Sequence, residues 1–107
     1  MTYEAAIAAL ADPSRRTIME CLRTGPMPVG ALAEGLPISR PAVSQHLKVL
    51  SDAGLLTVTT EGTKRIYAIS PDGVEALRTY LDELWSDALT AFADHADRDR
   101  KGAKDER

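Results

Sequence analysis

The sequence of 107 residues contains only one cysteine, Cys21, and this scarcity excludes several kinds of site. A disulfide within the chain needs two cysteines and a cysteine-only metal cage needs more, so both are excluded. Residues 1–4 do not begin a basic stretch followed by an apolar run, which is the pattern of a secretory signal. Because disulfides and secretory signals belong to exported proteins, we expect this protein to be cytoplasmic.

Long hydrophobic runs are also lacking. No run approaches the roughly 20 apolar residues of a membrane-spanning helix, so no membrane partner is expected. A hydrophobic fraction of 44% and a charged fraction of 27% are those of an ordinary globular protein, and the length fits one domain. No nucleophile or acid–base pair stands out, so we predict that the protein is not an enzyme and uses no cofactor.

The net charge of −3 hides an uneven distribution of charge along the chain. Residues 13–71 contain seven basic and four acidic side chains, whereas residues 72–107 contain ten acidic and six basic ones. Contact with phosphate depends on a local basic surface rather than on the total charge. The middle of the chain can therefore present an anion-binding surface, and the last third is not suited to one.

The first 35 residues carry the signals of three helices. Residues 3–11 are alanine-rich, and a second helix begins at Asp12 and Pro13, because aspartate caps a helix start and proline suits its first turn. The second helix ends before the Gly-Pro pair at residues 25–26. The segment VGALAEG, residues 29–35, predicts a short third helix that ends at its second glycine.

A fourth helix follows after a connection of three residues. The stretch SRPAVSQHLKVL, residues 39–50, opens with a capping serine and an early proline and continues with apolar residues at helical spacing. The helix is predicted over residues 39–53, before Gly54. Two helices joined by so short a turn are typical of a helix-turn-helix.

After Gly54 the pattern changes from helix to strand. The segments LLTVTT and RIYAIS are rich in β-branched and aromatic residues, and the glycine in EGTK between them favours a turn. This predicts a β-hairpin that contains these two segments, with Lys64 and Arg65 near its tip. A final helix, with apolar residues every three or four positions, is predicted from about residue 72 to about residue 95.

The fourth helix has two different faces. Successive residues lie about 100° apart around a helix axis, so Val43, Leu47 and Leu50 fall on one side and are expected to pack on the preceding helices. The other side carries a mixed set of polar residues and one proline, namely Arg40, Pro41, Ser44, Gln45 and Lys48. A solvated surface is the commoner explanation of such a polar stripe.

The neighbours of the fourth helix favour DNA binding instead. An α-helix fits the major groove, where Gln can pair with adenine and Arg with guanine. A short helix and turn before it, and a basic-tipped hairpin after it, are the parts of a winged helix. Arg15 and Arg16 are either phosphate contacts or solvated side chains. His46, at the border of the buried face, is either packed or locally hydrogen-bonded, or it contacts phosphate.

Three segments together resemble the ArsR family of bacterial winged-helix transcriptional repressors: ALADPSRRTIMECL, VGALAEGLPISRPAVSQHLKVLSDAGLL and TEGTKRIYAISPDGVEALRTYLDELW. The similarity covers about residues 3–92 and is most specific over residues 39–55. It implies a mainly α fold with a small β-hairpin, in the order α-α-α-α-β-β-α. It also implies a homodimer that binds an imperfect inverted repeat in a promoter, often its own, and that an inducer weakens this binding.

The resemblance also assigns residues, with residues 39–53 as the recognition helix and residues 56–69 as the wing. With the two arginines at the start of the second helix included, the expected DNA-binding set is Arg15, Arg16, Ser39, Arg40, Pro41, Ser44, Gln45, His46, Lys48, Thr63, Lys64 and Arg65. The first and last helices of two subunits would pack through Tyr3, Ile7, Leu10, Leu77, Leu81, Leu84, Trp85, Ala88 and Phe92. Residues 1–95 would form the DNA-binding and dimerisation domain, and residues 96–107 a charged, disordered tail.

The sequence departs from the family members that sense metals. Many of them carry a cysteine pair in the helix before the recognition helix, where this chain reads VGALAEG. Others use Asp and His ligands on the last helix, but His95 with Asp87 and Asp94 does not complete a tetrahedral zinc site. We therefore predict no metal site. Cys21 is expected to be a buried, inert thiol rather than a redox switch, which makes a metal- or thiol-responsive repressor the weaker alternative.

Two further hypotheses concern the last helix. Its acidic surface could bind another protein, in which case the winged helix would be a protein-interaction module. A small apolar effector of unknown identity could bind between the last helices of two subunits, near Trp85.

Overall fold

The computed structural model describes the backbone of residues 3–105 and the side chains of residues 3–97. The elements follow in the order α1 (Tyr3–Leu10), α2 (Pro13–Leu22), β1 (Met27–Pro28), α3 (Val29–Glu34), α4 (Arg40–Asp52), β2 (Leu56–Glu61), β3 (Lys64–Ile69) and α5 (Pro71–Asp105). This confirms the predicted order of helices and hairpin and adds one strand, β1. The chain divides after residue 77 into two compact units, which we call the body (residues 3–77) and the arm (residues 78–105).

The helices α2 and α4 begin at the predicted capping residues. The Oδ1 atom of Asp12 accepts hydrogen bonds from the backbone N–H groups of Ser14, at 2.8 Å, and Arg15, at 3.2 Å. The Oγ atom of Ser39 accepts one from the backbone N–H of Ala42 at 3.3 Å. These side chains satisfy backbone donors that have no partner inside the helix, which is why both helices start where the sequence predicts.

The sheet has three strands, although the sequence predicts only a two-stranded hairpin. β2 and β3 pair in antiparallel fashion along their whole lengths, which confirms the hairpin, and β1 pairs with the other edge of β3. A strand of two residues is too short to show a period of two, so no pattern in the sequence reveals it. Its second residue, Pro28, is tolerated because β1 is an edge strand and proline has no N–H to donate.

The core of the body lies between the helices α1 to α4 and the sheet. Its largest fully buried side chains are Ile18, Leu32, Val43, Leu47, Leu50 and Leu55. They come from α2, α3, α4 and the start of the hairpin and form one continuous cluster. Each square ångström of apolar surface buried in that cluster contributes about 25 cal/mol to stability. The cluster includes residues of both α4 and the hairpin, so the same core holds these two elements.

Two glycines bring the first turn of α5 against the turn between α4 and β2. Gly54 has a φ of 82°, a left-handed conformation that a residue with a Cβ adopts only at a cost. A Cβ added to Gly73 would lie 1.7 Å from the carbonyl oxygen of Gly54, so a glycine is required there. At the same junction the backbone N–H of Ser70 donates to the carbonyl oxygen of Leu55 at 2.9 Å.

The arm consists of the later turns of α5, which ends at Asp105 and not near residue 95 as predicted. Arg, Lys and Ala are good helix formers, so the loss of the apolar face after residue 92 does not by itself end the helix. The predicted disordered tail, residues 96–107, lies mostly outside the described side chains, and its disorder stays a prediction. Among the described helices, none has both the length and the hydrophobicity needed to cross a bilayer.

Candidate nucleic-acid interface

The two faces of α4 differ in burial as the sequence predicts. Val43, Leu47 and Leu50 have relative exposures of 0% and belong to the core. The residues of the opposite face and of the cap are exposed, namely Ser39, Arg40, Pro41, Ser44, Gln45 and Lys48. Because the core holds one face of α4 and leaves the other in solvent, these side chains are available to a ligand as large as a DNA duplex.

The connection between α3 and α4 holds the start of the exposed face in place. Leu36 and Ile38 turn inward and pack against the core, while Pro37 between them is exposed. Ser39 then caps α4, so the helix starts immediately after the anchored connection. The position of the first turn of α4 is therefore set by packing on both sides of the connection.

The tip of the wing is a two-residue turn formed by Gly62 and Thr63. Glu61 and Lys64 are cross-strand partners on either side of it. Gly62 has a φ of 61°, as a tight hairpin turn requires at its first position. Thr63, Lys64 and Arg65 are all exposed, so the wing presents two adjacent positive charges to solvent.

The exposed face of α4 and the wing line a common groove with a volume of about 600 Å³. Ser44, Gln45 and Lys48 are among the residues of its α4 wall, and Val58 and Arg65 are among the residues of its wing wall. Candidate DNA-binding side chains that lie some 20 residues apart in the sequence therefore meet at one surface. We call this the helix–wing groove.

A second cavity of about 670 Å³ adjoins the helix–wing groove, because Arg65 lines both. Arg40 from the start of α4 and Thr63 and Lys64 from the wing tip also line it. Glu34 and residues 28–31 complete its wall. Three of its side chains are positively charged and one is negatively charged, so its local charge suits an anion.

Several residues of the helix–wing groove were not predicted from the sequence: Val29, Ser51, Asp52, Val58 and Tyr67. Val58 and Tyr67 are cross-strand partners and so lie on one face of the hairpin. The alternation of side chains along β2 was the signal that could have placed Val58 on the same face as the buried Leu56.

Lys48 is paired with an acidic neighbour on α4. Its Nζ atom lies 3.6 Å from Oδ2 of Asp52, and both side chains are 70% exposed. Such an exposed pair contributes little to stability. Asp52 does add a negative charge to the helix–wing groove, which reduces the attraction of that groove for phosphate.

Arg15 is engaged by protein groups. Its Nε donates to the carbonyl oxygen of Ala9 at 2.6 Å, and its Nη2 donates to that of Ala8 at 3.4 Å. Its Nη1 lies 3.5 Å from Nδ1 of His46 and 4.0 Å from Oδ2 of Asp12. The side chain is only 19% exposed. The structure therefore places Arg15 and His46 together where α1, α2 and α4 meet.

Arg16 contacts the same end of α1. Its Nη1 donates to the carbonyl oxygens of Leu10, at 3.1 Å, and Ala11, at 3.3 Å, while the residue stays exposed. The last carbonyl groups of a helix have no partner within it, and arginine can satisfy them. The two arginines that the sequence offers as phosphate contacts thus both cap α1.

Asp12 has a shifted pKa at this junction. The hydrogen bond from the backbone N–H of Arg15 is the main cause that holds the pKa of the carboxyl below its ordinary value. Partial desolvation acts in the opposite sense, and the N–H of Ser14 and the charges of Arg15 and His46 lower the pKa further. The folded protein therefore favours the ionised carboxylate.

The predicted dimer residues are divided between exposed and buried positions. On α1, Tyr3 and Ile7 are exposed and Leu10 is partly buried against the core. Leu77 belongs to the core of the body, so it does not contribute to an open surface. The predicted residues of the arm are all exposed, namely Leu81, Leu84, Trp85, Ala88 and Phe92.

Metal-ligating side chains do not cluster within the part of the chain that the structure describes. No three His, Cys, Asp or Glu residues there come together as a possible metal site. Cys21 is partly buried and packs against the core.

Comparison with known proteins supports the DNA-binding assignment. A family model described as a helix-turn-helix domain matches residues 10–59. The chain is 56% identical over 85 residues to the HTH-type transcriptional regulator Rv2034 of Mycobacterium tuberculosis, and this match covers 79% of each chain. It is 32% identical over 76 residues to the arsenical resistance operon repressor of Staphylococcus xylosus, covering 71% of this chain and 73% of that one.

A solved structure has the same fold. The homodimeric winged helix-turn-helix DNA-binding domain of Mb0332 from Mycobacterium bovis, described as a possible ArsR-family transcriptional regulator, superposes with a TM-score of 0.64 at 27% identity. The superposition covers 78% of this chain and 77% of that one. These matches include the helix-turn-helix and extend beyond it to most of the chain. The chain belongs to the ArsR family of winged helix-turn-helix transcriptional regulators.

Proposed function

We propose that this regulator is a homodimeric repressor that binds an inverted repeat in a promoter, its own promoter included. The observation that carries the proposal is the helix–wing groove, where the exposed polar face of α4 and the basic wing line one surface. Base-reading and phosphate-binding side chains are needed side by side for specific DNA binding. A regulator that binds its promoter acts where the DNA is, which places it in the cytoplasm in this proposal.

The chemistry of the side chains suggests their roles. Gln45 and Arg40 can each form two hydrogen bonds with one base edge, with adenine and guanine respectively, and Ser44 can bond to several edges. Lys48, Lys64 and Arg65 suit backbone phosphates, because a flexible cation binds a phosphate without regard to sequence. In this arrangement α4 lies in the major groove and the wing lies along the flanking backbone.

The repressor role is supported by the relative from Staphylococcus xylosus, which is an operon repressor. A protein bound over a promoter also blocks access to it by occupying the same DNA. In this proposal repression needs only tight and specific binding.

A second copy of the chain is the proposed partner of the exposed apolar residues. On the arm, Trp85 is 64% exposed and Phe92 is 71% exposed, and on α1 Ile7 is 44% exposed. Apolar residues in rows on a helix usually mark an interface. The solved structure of Mb0332 is homodimeric, and two-fold symmetry is what an inverted repeat requires of its reader.

Fluorescence anisotropy with duplexes from the protein's own upstream promoter tests this function. We expect affinity for one duplex to exceed that for scrambled DNA and to fall steeply with salt, since cations displace counterions from phosphates. Gln45→Ala should reduce the discrimination between sites by roughly tenfold. Lys64→Ala should weaken binding to all duplexes equally and reduce the salt slope by about one.

Arg23→Ala is the matched control for the loss of charge. Arg23 is an exposed arginine that pairs with Glu20 at 2.9 Å, and it lines neither cavity beside the wing. This variant should keep the wild-type affinity and salt slope. Weak and sequence-indifferent binding by the wild type would contradict the proposed function. Identical behaviour of Gln45→Ala and Lys64→Ala would contradict the division of roles.

A further inference from the structure

Arg15 connects α1 to the recognition helix. On one side its guanidinium donates to the carbonyl oxygens of Ala8 and Ala9 at the end of α1. On the other side its Nη1 lies within 3.5 Å of Nδ1 of His46. A guanidinium has only donors, so it bonds to Nδ1 of His46 when that atom carries no proton. One side chain of α2 thus bridges two other helices.

The two helices joined by Arg15 have different proposed tasks. α1 carries the exposed Tyr3 and Ile7, which belong to the proposed dimer surface. α4 carries Gln45 directly before His46, on the proposed DNA-reading face. Any rotation of α4 relative to α1 would change the separation of the two recognition helices in a dimer. A dimer reads two half-sites only if that separation matches the helical repeat of DNA.

We propose that Arg15 is a positioning residue that sets the separation of the two recognition helices by holding α4 to α1 through His46. The proposal rests on the function proposed above, since it needs a dimer on an inverted repeat. In this proposal the role of Arg15 is to hold α4 and not to contact phosphate, and His46 is the residue of α4 that Arg15 binds.

Arg16 offers an internal control for this role. It caps the same end of α1 through the carbonyl oxygens of Leu10 and Ala11, whereas the bridge to His46 comes from Arg15. Arg16→Lys therefore disturbs the capping of α1 and leaves the bridge in place. Arg15→Lys keeps the positive charge but lacks the planar group that reaches both helices at once.

The experiment compares binding to a full site and to a half-site. The wild-type protein first selects duplexes from a random-sequence library, and one half of the selected inverted repeat is then scrambled. Anisotropy titrations give the ratio of full-site to half-site affinity. Arg15→Lys and His46→Ala should each lower this ratio by about tenfold, a typical coupling between sites. Half-site affinity and salt slope should stay at wild-type values, which also shows that the variants are folded.

His46→Asn is the conservative variant that should rescue the ratio. The amide oxygen of asparagine takes nearly the place of Nδ1 and can accept from Arg15. We expect His46→Asn and Arg16→Lys to keep the wild-type ratio. Agreement of all four variants with these expectations supports the bridge.

Three outcomes would overturn the inference. An unchanged ratio for Arg15→Lys would show that the bridge does not set the separation of the helices. Equal losses of full-site and half-site affinity at an unchanged salt slope would make Arg15 a purely structural residue. If Arg15→Gln weakened both sites with a shallower salt slope and Arg15→Lys restored them, Arg15 would be a phosphate contact. Failure of the wild type to select an inverted repeat would instead contradict the proposed function.

Discussion

The body and the arm differ in the burial of their apolar side chains. In the body, leucines such as Leu47 and Leu50 have relative exposures of 0%. In the arm, Leu84, Leu89 and Phe92 are each more than half exposed, and no side chain of residues 78–97 is fully buried. Both regions have apolar residues at helical spacing, so spacing alone does not say what covers them. The body has its own core, whereas the apolar side chains of the arm are exposed to solvent.

Two pairs of basic residues also differ in whether protein groups already bind them. The sequence offers both Arg15 with Arg16 and Lys64 with Arg65 as candidate phosphate contacts. Arg15 and Arg16 both donate hydrogen bonds to carbonyl oxygens of α1. Lys64 and Arg65 are exposed and line a cavity beside the wing. A basic side chain is therefore available to a ligand only where the fold does not already supply protein acceptors for its N–H groups.

The largest expected effect comes from truncating a leucine in the body. Leu47→Ala removes a fully buried side chain and leaves a cavity, so we expect the free energy of unfolding to fall by about 4 kcal/mol. The same substitution in the arm, Leu89→Ala, concerns a side chain that is 62% exposed and should change that free energy by less than about 0.5 kcal/mol. Urea denaturation of dilute protein measures both.

Leu89 lies four positions after Trp85 and so on the same side of α5 as the proposed dimer residues, and Leu89→Ala should therefore act on association instead. Loss of an apolar contact across a dimer interface should raise the dimer dissociation constant by roughly tenfold, as seen by sedimentation equilibrium. Leu47→Ala serves as the comparison because it should leave association intact in the molecules that are folded. Equal destabilisation of the dilute protein by both substitutions would show that the arm is not a separate surface.

The next effect concerns Gly73, where the body holds the first turn of α5. By helix propensity alone, Gly73→Ala should stabilise the protein by about 1 kcal/mol. The added Cβ would instead meet the carbonyl oxygen of Gly54 at 1.7 Å, so we expect a loss of about 3 kcal/mol. Thermal or urea unfolding measures the sign directly.

Gly62→Ala is the control for Gly73→Ala. Gly62 has a φ of 61° with no atom within 4 Å of an added Cβ, so it tests backbone strain without a clash. The expected loss is about 1 kcal/mol. A stabilised Gly73→Ala variant would mean that α5 does not pack on Gly54.

The smallest effect is the pH dependence from Asp12. Because its pKa is lowered in the folded state, ionised Asp12 stabilises the body fully above its ordinary value of 3.8. That contribution is lost as the pH falls through the lower pKa of the folded state. Asp12→Asn keeps a capping oxygen but does not titrate. Urea denaturation at a series of pH values should therefore show the advantage of wild type over Asp12→Asn shrinking below pH 3.8, and a constant difference would contradict this.

Much of the fold was predictable because its signals are local. Asp12 and Ser39 cap helices through their own neighbours, Gly62 makes its turn through its own φ, and the polar face of α4 follows from helical spacing. The strand β1 was not predictable, since two residues show no period. The bridge from Arg15 to His46 spans 31 positions in the chain, and no local pattern reports such a distance.

The sequence by itself determined where the helices and the hairpin begin, which side of α4 is apolar, and which family motif the chain carries. These properties depend on backbone capping and side-chain periodicity, which act over a few residues. Only the tertiary structure decided that α4 and the wing share one groove, that Gly73 must be a glycine, and that Arg15 contacts helices rather than solvent. Each of these depends on groups far apart in the chain, and packing of the shared core brings them together.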